Sequence, residues 1–97
     1  MTYPDRLNTA ILLGHIRKAI GNARAGNPYT ESGTFSSGDS WGVMTPIPGQ
    51  PHRIAVICSP EVHARLVARL SSEPGYRTEA IPGTGGGVRF CVVFPAL

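Results

Sequence analysis

Residues 53–70 read RIAVICSPEVHARLVARL, and this stretch decides the fold. The apolar run over residues 54–58 is typical of a strand that other elements cover. Ser59 is a favourable N-cap, Pro60 suits the first helical position, and Glu61 complements the positive N-terminal end of a helix. The stretch therefore predicts a buried strand that leads directly into an amphipathic helix.

Two further strand patterns follow this helix, which Pro74 and Gly75 end. Residues 76–82 read YRTEAIP and are polar, whereas residues 88–95 read VRFCVVFP and are strongly apolar. A strand–helix–strand crossover is right-handed and leaves its two strands parallel. Because the last run is the most apolar, we expect it in the sheet centre, antiparallel to residues 53–58 on one side and to residues 76–82 on the other.

The N-terminal segment predicts a helix over residues 4–25. At 100° per residue its apolar side chains share one face; these are Leu12, Leu13, Ile16, Ala19, Ile20 and Ala23. Gly26 and Pro28 follow as signals that end a helix.

Residues 27–51 are rich in glycine, proline and serine, which predicts an irregular segment. Within it, residues 29–35 and 41–47 resemble two weak strands joined by a turn at SSGD, and PIPGQP is a stiff connector. The fold class we expect is α+β, with residues 1–97 as a single domain. A mostly antiparallel sheet with a split β-α-β-β unit carries both helices on one face.

Length and composition limit the classes of protein that the chain can belong to. It has 97 residues, 41% of them hydrophobic, and a formal net charge of +3. That charge is too small for a densely basic nucleic-acid binder. We see no signal-peptide pattern and no apolar run long enough to cross a membrane. We therefore expect a cytoplasmic protein of a bacterial or phage-infected cell, without a membrane partner.

The glycine-rich stretch Gly83-Thr84-Gly85-Gly86-Gly87 resembles a phosphate-binding loop only in part. A dinucleotide fingerprint requires Gly-x-Gly-x-x-Gly before a helix, but its third position here falls on Val88 and a strand pattern follows. A P-loop requires Gly-Lys-Ser/Thr, and no lysine is present in the stretch. We interpret it as a flexible turn between two antiparallel strands.

No catalytic or metal site can be assembled from the sequence. A phosphatase-type loop from Cys58 requires arginine at position 64, which is Ala64, while Arg65 comes one residue late. Pro60 also removes an amide that would bind phosphate. The cysteines and histidines lack the short spacings of structural zinc sites. We therefore expect Cys58 and Cys91 to be buried and unreactive, and no catalytic residue, metal or cofactor.

The arginines form the clearest candidate binding surface. On the first helix Arg6, Arg17 and Arg24 lie within about 20° of one another, and on the second helix Arg65 and Arg69 are one turn apart. A solvated helix face is one interpretation of such a pattern. The other is a surface for carboxylates of a protein partner or for phosphates of nucleic acid.

Trp41 is the only tryptophan and lies in the polar stretch SGDSWGVM. It either fills the edge of the core or anchors an interface, since tryptophan and arginine are enriched among binding hot spots. Glu31 and Asp39 lie in the same irregular segment, and the sequence assigns neither a structural role. We predict that Trp41, Glu31 and Asp39 contribute to a binding surface together with the arginines.

We expect a non-enzymatic protein-binding module that inhibits or regulates a larger protein or ribonucleoprotein complex. Motif-poor chains of this size are common among inhibitors made by bacteriophages and mobile elements, including inhibitors of defence systems such as CRISPR, and the analogy is one of size and style. One alternative is a nucleic-acid-binding accessory protein that uses the arginine-rich helix faces. The other is a thiol or metal enzyme, which the spacings disfavour.

Overall fold

The computed structural model of the protein describes residues 3–45, 52–81 and 87–95. It contains two helices and five strands in the order α1, β1, β2, β3, α2, β4, β5. Their bounds are α1 Tyr3–Arg24, β1 Tyr29–Thr34, β2 Ser40–Thr45, β3 Arg53–Cys58, α2 Pro60–Ser71, β4 Arg77–Ala80 and β5 Val88–Val93. The connector PIPGQP and most of the glycine-rich stretch lie outside the described residues.

The five strands form one antiparallel sheet in the order β1-β2-β3-β5-β4. Strand β5 pairs with β3 from Cys58↔Val88 to Arg53↔Val93 and with β4 from Ala80↔Phe90 to Arg77↔Val93. Because β3 and β4 are both antiparallel to β5, they run parallel to each other. This confirms the predicted split β-α-β-β unit and the α+β fold.

Both helices cover the same face of the sheet. Helix α1 contacts β1, β2 and β3, helix α2 contacts β4, and the two helices contact each other. In β3, Ile54, Val56 and Cys58 are buried towards the helices while the alternate residues face the other side. The core between the layers consists of Leu12, Leu13, Ile16, Ala19, Ile20, Phe35, Val43, Ile54, Val56, Cys58, Val62, Leu66, Leu70, Phe90, Val92 and Phe94.

Helix α2 begins and packs as its sequence predicts. The Ser59 hydroxyl accepts a hydrogen bond from the Val62 amide at 3.4 Å, and Pro60 lies in the first turn. Its buried residues are Val62, Leu66 and Leu70, spaced by four. Burying an aliphatic side chain contributes about 1.5–3 kcal/mol, so this face holds the helix on the sheet.

The β1–β2 hairpin is more regular than its composition predicts. The two strands pair without interruption from Tyr29↔Thr45 to Thr34↔Ser40. The Phe35 amide donates to the Asp39 carbonyl at 2.8 Å, and Gly38 supplies the positive φ of the turn at +96°. Pairing of β2 with β3 and burial of Phe35 stabilise strands whose own propensity is low.

Gly21 and Gly26 form a matched pair for testing this backbone. No atom lies within 4 Å of the position that a Cβ would take at either residue, but only Gly26 has a positive φ, at +77°. We expect Gly21→Ala to raise the free energy of unfolding by about 1 kcal/mol, because alanine is the better helix former. Gly26→Ala should lower it by about 1 kcal/mol, because the left-handed conformation is strained for alanine. Urea denaturation measures the change in the free energy of unfolding for each variant. Changes of the same sign in both variants would contradict the described helix end.

Candidate functional site

A groove lined by four arginines lies between the two helices. Arg6 and Arg17 come from α1, and Arg65 and Arg69 come from α2. The groove has a volume of about 320 Å³. We call these four residues and the groove that they line the arginine groove.

The floor of the arginine groove is made of small and apolar residues of α1. These are Thr9, Ala10, Leu13 and Gly14. Apart from its chain neighbours and the backbone of α1, no atom lies within 4 Å of the position that a Cβ would take at Gly14, so the groove is open above this residue.

Helix periodicity brings the four arginines to the groove. Arg6 and Arg17 are eleven positions apart, which is about three full turns, so they share one edge of α1. Arg65 and Arg69 are spaced i, i+4 and share one edge of α2. The packing of α1 against α2 joins these two edges, which the sequence presented only as separate faces.

The charge of the arginine groove is only partly balanced. Arg17 forms an ion pair of 3.2 Å with Glu73, at a site where the arginine side chain is 59% exposed. Such an exposed pair contributes at most about 1 kcal/mol and is easily exchanged. Arg6 and Arg69 are exposed and have no ion-pair partner among the described residues. The groove therefore presents guanidinium groups that are available to an anionic ligand.

Arg24 has a structural role outside the arginine groove. Its guanidinium group lies 5.4 Å from the centre of the Phe94 ring and donates a hydrogen bond of 2.7 Å to the Pro95 carbonyl. These contacts join the end of α1 to the residues that follow β5. Arg24 lines a neighbouring depression together with Arg17 and Glu73. The ion pair between Arg17 and Glu73 therefore lies between Arg24 and Arg6.

Trp41 lies on the opposite flank of α1 and fills the edge of the core. Its ring stacks on His15 with 4.4 Å between ring centres and contacts Phe35 at 6.1 Å. A Cβ at Gly33 would come within 3.1 Å of the tryptophan ring, so glycine permits this close packing. His15 and Arg6 are about 180° apart around α1, so Trp41 and the arginine groove do not form one continuous surface.

A hydrogen-bonded pair that sequence reasoning missed lies beside Trp41. His15 Nδ1 lies 3.0 Å from the Tyr29 hydroxyl. Burial and, to a lesser degree, the nearby Glu31 carboxylate raise the pKa of Tyr29. No spacing signal in the sequence links His15 to a tyrosine fourteen residues later.

Asp39 and Glu31 differ in their roles. The Asp39 carboxylate accepts a hydrogen bond of 3.2 Å from the Ser37 hydroxyl, which itself accepts one of 3.0 Å from the Asn8 amide. Asp39 thus helps to tie the hairpin turn to α1, a role that the sequence did not reveal. Glu31 is exposed on the edge strand β1, away from the arginine groove.

Both cysteines are buried, and His52 and His63 contact aromatic rings, although His52 is exposed. Burial raises the pKa of the Cys58 thiol from 9.0 to about 12, which disfavours the thiolate that a nucleophile requires. His63 lies edge-on to Phe90 at 4.8 Å, and His52 lies edge-on to Phe94 at 6.2 Å. Within residues 3–45, 52–81 and 87–95, no three His, Cys, Asp or Glu side chains are grouped to hold a metal ion.

No protein-family model matches the chain, no curated protein is significantly similar to it, and no solved structure is significantly similar to its fold. Of the described helices, none is both long enough and apolar enough to cross a membrane. The proposals below therefore depend on the geometry of this chain alone.

The packing of Trp41 predicts a stability effect. We expect Trp41→Ala to lower the free energy of unfolding by about 2 kcal/mol, less than the 3–5 kcal/mol typical of a fully buried tryptophan because this ring is only half-buried. Trp41→Phe should retain most of the ring packing against His15 and cost less than about 1 kcal/mol. Urea denaturation followed by circular dichroism measures both variants. Unchanged stability of Trp41→Ala would show that the ring is available as an interface anchor.

The raised pKa of Cys58 predicts a loss of stability at alkaline pH. The folded state holds the thiol proton more tightly than the unfolded chain, so this contribution is constant below pH 9.0 and is lost as the pH rises towards about 12. Within this window one such group accounts for at most about 1.4 kcal/mol per pH unit. Urea midpoints at pH 8 and pH 10.5 should therefore fall more for the wild type than for Cys58→Val, which has no ionisable group. Rapid alkylation of folded Cys58 at pH 7 would contradict this description.

Proposed function

We propose that the protein is a small non-enzymatic binding module that docks an acidic segment of a larger protein in the arginine groove. By occupying that segment it would regulate or inhibit the larger protein. The observation that carries the proposal is the convergence of four arginines from two helices on one groove. Two of them, Arg6 and Arg69, have no ion-pair partner in the described part of the chain.

The chemistry of the arginine groove suits carboxylates. A guanidinium group offers paired donors that match the two oxygens of a carboxylate, and it remains charged at any physiological pH. Glu73 already pairs with Arg17 at the edge of the groove and illustrates this contact within the chain. An acidic segment could replace Glu73 at Arg17 and pair with Arg6 and Arg69 as well.

Nucleic acid is the second candidate ligand, because phosphates also bind arginine well. Single-stranded nucleic acid usually stacks its bases on aromatic side chains. The described residues that line the arginine groove include no aromatic residue. The absence of aromatic residues supports a protein ligand over single-stranded nucleic acid. It does not bear on duplex nucleic acid, which the salt titration below distinguishes from a protein ligand.

Charge reversal in the arginine groove tests the proposal. We expect Arg6→Glu/Arg69→Glu to lose a protein that the wild type captures from a nuclease-treated bacterial lysate. Lys18→Glu is the control, because Lys18 is an exposed basic residue of α1 that does not line the groove. Once the captured protein is identified and purified, Arg69→Glu alone should weaken binding at least thirtyfold, equivalent to about 2 kcal/mol.

Salt titration separates the two classes of ligand. Binding of a protein ligand should persist after nuclease treatment, and its affinity should depend only moderately on salt concentration. Binding to duplex DNA should disappear after nuclease treatment, and its logarithmic affinity should fall with a slope of about 0.9 per phosphate contact. Equal capture by the wild type and the groove variant would refute the proposed site.

A further inference from the structure

Helix α1 carries two large hydrophobic residues on its outer surface. Leu7 is 41% exposed and Ile11 is 42% exposed, and on the described surface only Met44 is comparable. Because Leu7 and Ile11 are spaced i, i+4, their side chains are neighbours on one face of the helix. We call these two residues the apolar pair.

The apolar pair borders the arginine groove on the side away from α2. At 100° per residue, it lies about 110° around α1 from Arg6 and Arg17. Ala10 and Gly14 lie between these two rows, are exposed and line the groove. The outer surface of α1 therefore has a basic row, a low centre of small residues and an apolar row.

The fold itself does not require glycine at position 14. Gly14 lacks the positive φ that favours glycine, and only its chain neighbours and the backbone of α1 lie within 4 Å of the position that a Cβ would take. Glycine also weakens the interior of a helix relative to alanine. What the residue provides is a point at which the backbone of a ligand can approach α1 closely.

We propose that the acidic segment in the arginine groove is an amphipathic helix that crosses α1 over Ala10 and Gly14. This inference rests on the proposed function and adds the conformation and the apolar chemistry of the ligand. Carboxylates along one edge of the ligand helix pair with the arginines. Apolar side chains next to that edge pack on the apolar pair.

The angle between the two rows favours a helix over an extended segment. Successive side chains of a helix turn by 100°, so an acidic row and an apolar row can contact the two sides of the low centre together. Successive side chains of an extended segment point to opposite faces, so only one row of them reaches the surface.

The charge of this face determines the sign of the ligand. Arg6 and Arg69 have no ion-pair partner among the described residues. Helix α1 contains a single acidic residue, Asp5, in its first turn. A second copy of α1 in this place would set arginine against arginine, whereas an acidic helix supplies carboxylates to the same guanidinium groups.

Helix packing limits the extent of the contact. Packed helices commonly cross at about 50°, so they separate within about one and a half turns on either side of their closest approach. A crossing between Ala10 and Gly14 therefore covers residues 6–17. Lys18 and Gly21 lie beyond it.

Two labelled peptides of the same composition test the conformation of the ligand. Each has about 18 residues of Glu, Ala and Leu, enough to cross the groove as a helix. In the first peptide the leucines recur every three or four residues beside the glutamates, and in the second leucines and glutamates alternate. We expect the first to bind at least about tenfold more tightly in fluorescence anisotropy and to gain helical circular dichroism on binding. Equal affinity of the two peptides would overturn the inference.

Removal of the apolar pair tests the predicted contact. Leu7→Ser/Ile11→Ser should weaken binding of the first peptide at least about tenfold, because its apolar anchors lose their partners. Met44→Ser is the matched control, because Met44 is 47% exposed on strand β2 and lies outside the arginine groove. A larger loss in the control than in the α1 variant would exclude the apolar pair as the contact.

Gly14→Gln and Gly21→Gln form a second matched pair, in which loss of binding cannot result from unfolding. Both replace an exposed glycine of α1 by a better helix former, so the melting temperature of both variants should rise. Only Gly14→Gln should weaken the first peptide, at least about tenfold, because its side chain would stand where the helices cross. Unchanged binding by Gly14→Gln, or equal losses in the two variants, would contradict the crossing point.

Arg6→Glu/Arg69→Glu separates this inference from the proposed function. If this variant loses both peptides while Leu7→Ser/Ile11→Ser binds the first as the wild type does, the acidic segment stands and its helical conformation is overturned. Failure of the wild type to bind the first peptide also overturns the inference, and the capture experiment then decides the proposed function by itself. Tighter binding of a DNA duplex than of the first peptide would assign the groove to nucleic acid and overturn both.

Discussion

The antiparallel pairing of β3 with β5 is the contact on which the rest of the structure depends. These strands bring the two most apolar runs of the chain side by side, and their alternate residues form the centre of the core, with Val56 opposite Phe90 and Ile54 opposite Val92. Strand β4 attaches to one side of this pair and β2 to the other. Because β5 occupies the position between β3 and β4, the crossover through α2 must pass over the sheet on the same side as α1, where α2 contacts β4 and α1.

This two-layer arrangement places different chemistry on the two faces of the molecule. The helices cover one face of the sheet, and where they meet each other their arginine-bearing edges form a single groove. The opposite face has no covering layer among the described residues, and its apolar centre is bordered by Arg89 on one side. The proposed contact with an acidic segment therefore uses the helix-covered side of the molecule.

The flank of α1 that carries His15 contributes to stability and does not extend the arginine groove. His15, Trp41 and Tyr29 hold the β1–β2 hairpin against the helix through a stacked ring pair and a polar contact of 3.0 Å. On the other flank, Arg6 and Arg17 stay free of such packing. Arg24 shows that an arginine on the same helix edge can be used by the fold instead, since it bonds the Pro95 carbonyl. Position along the helix, as well as around it, thus separates structural from available side chains.

Local patterns in the sequence determined the helices, the strands and the central place of β5, because apolar periodicity and capping residues act over a few neighbouring positions. They also identified Arg6 with Arg17 and Arg65 with Arg69 as two separate helix edges. Only the tertiary structure joined those edges into one groove, set Trp41 against His15 and gave Asp39 its role in the hairpin turn. Those relations depend on how the helices dock on a twisted sheet. The docking is decided by the fit between side chains that are far apart in the chain, and such a fit leaves no periodic signal in the sequence.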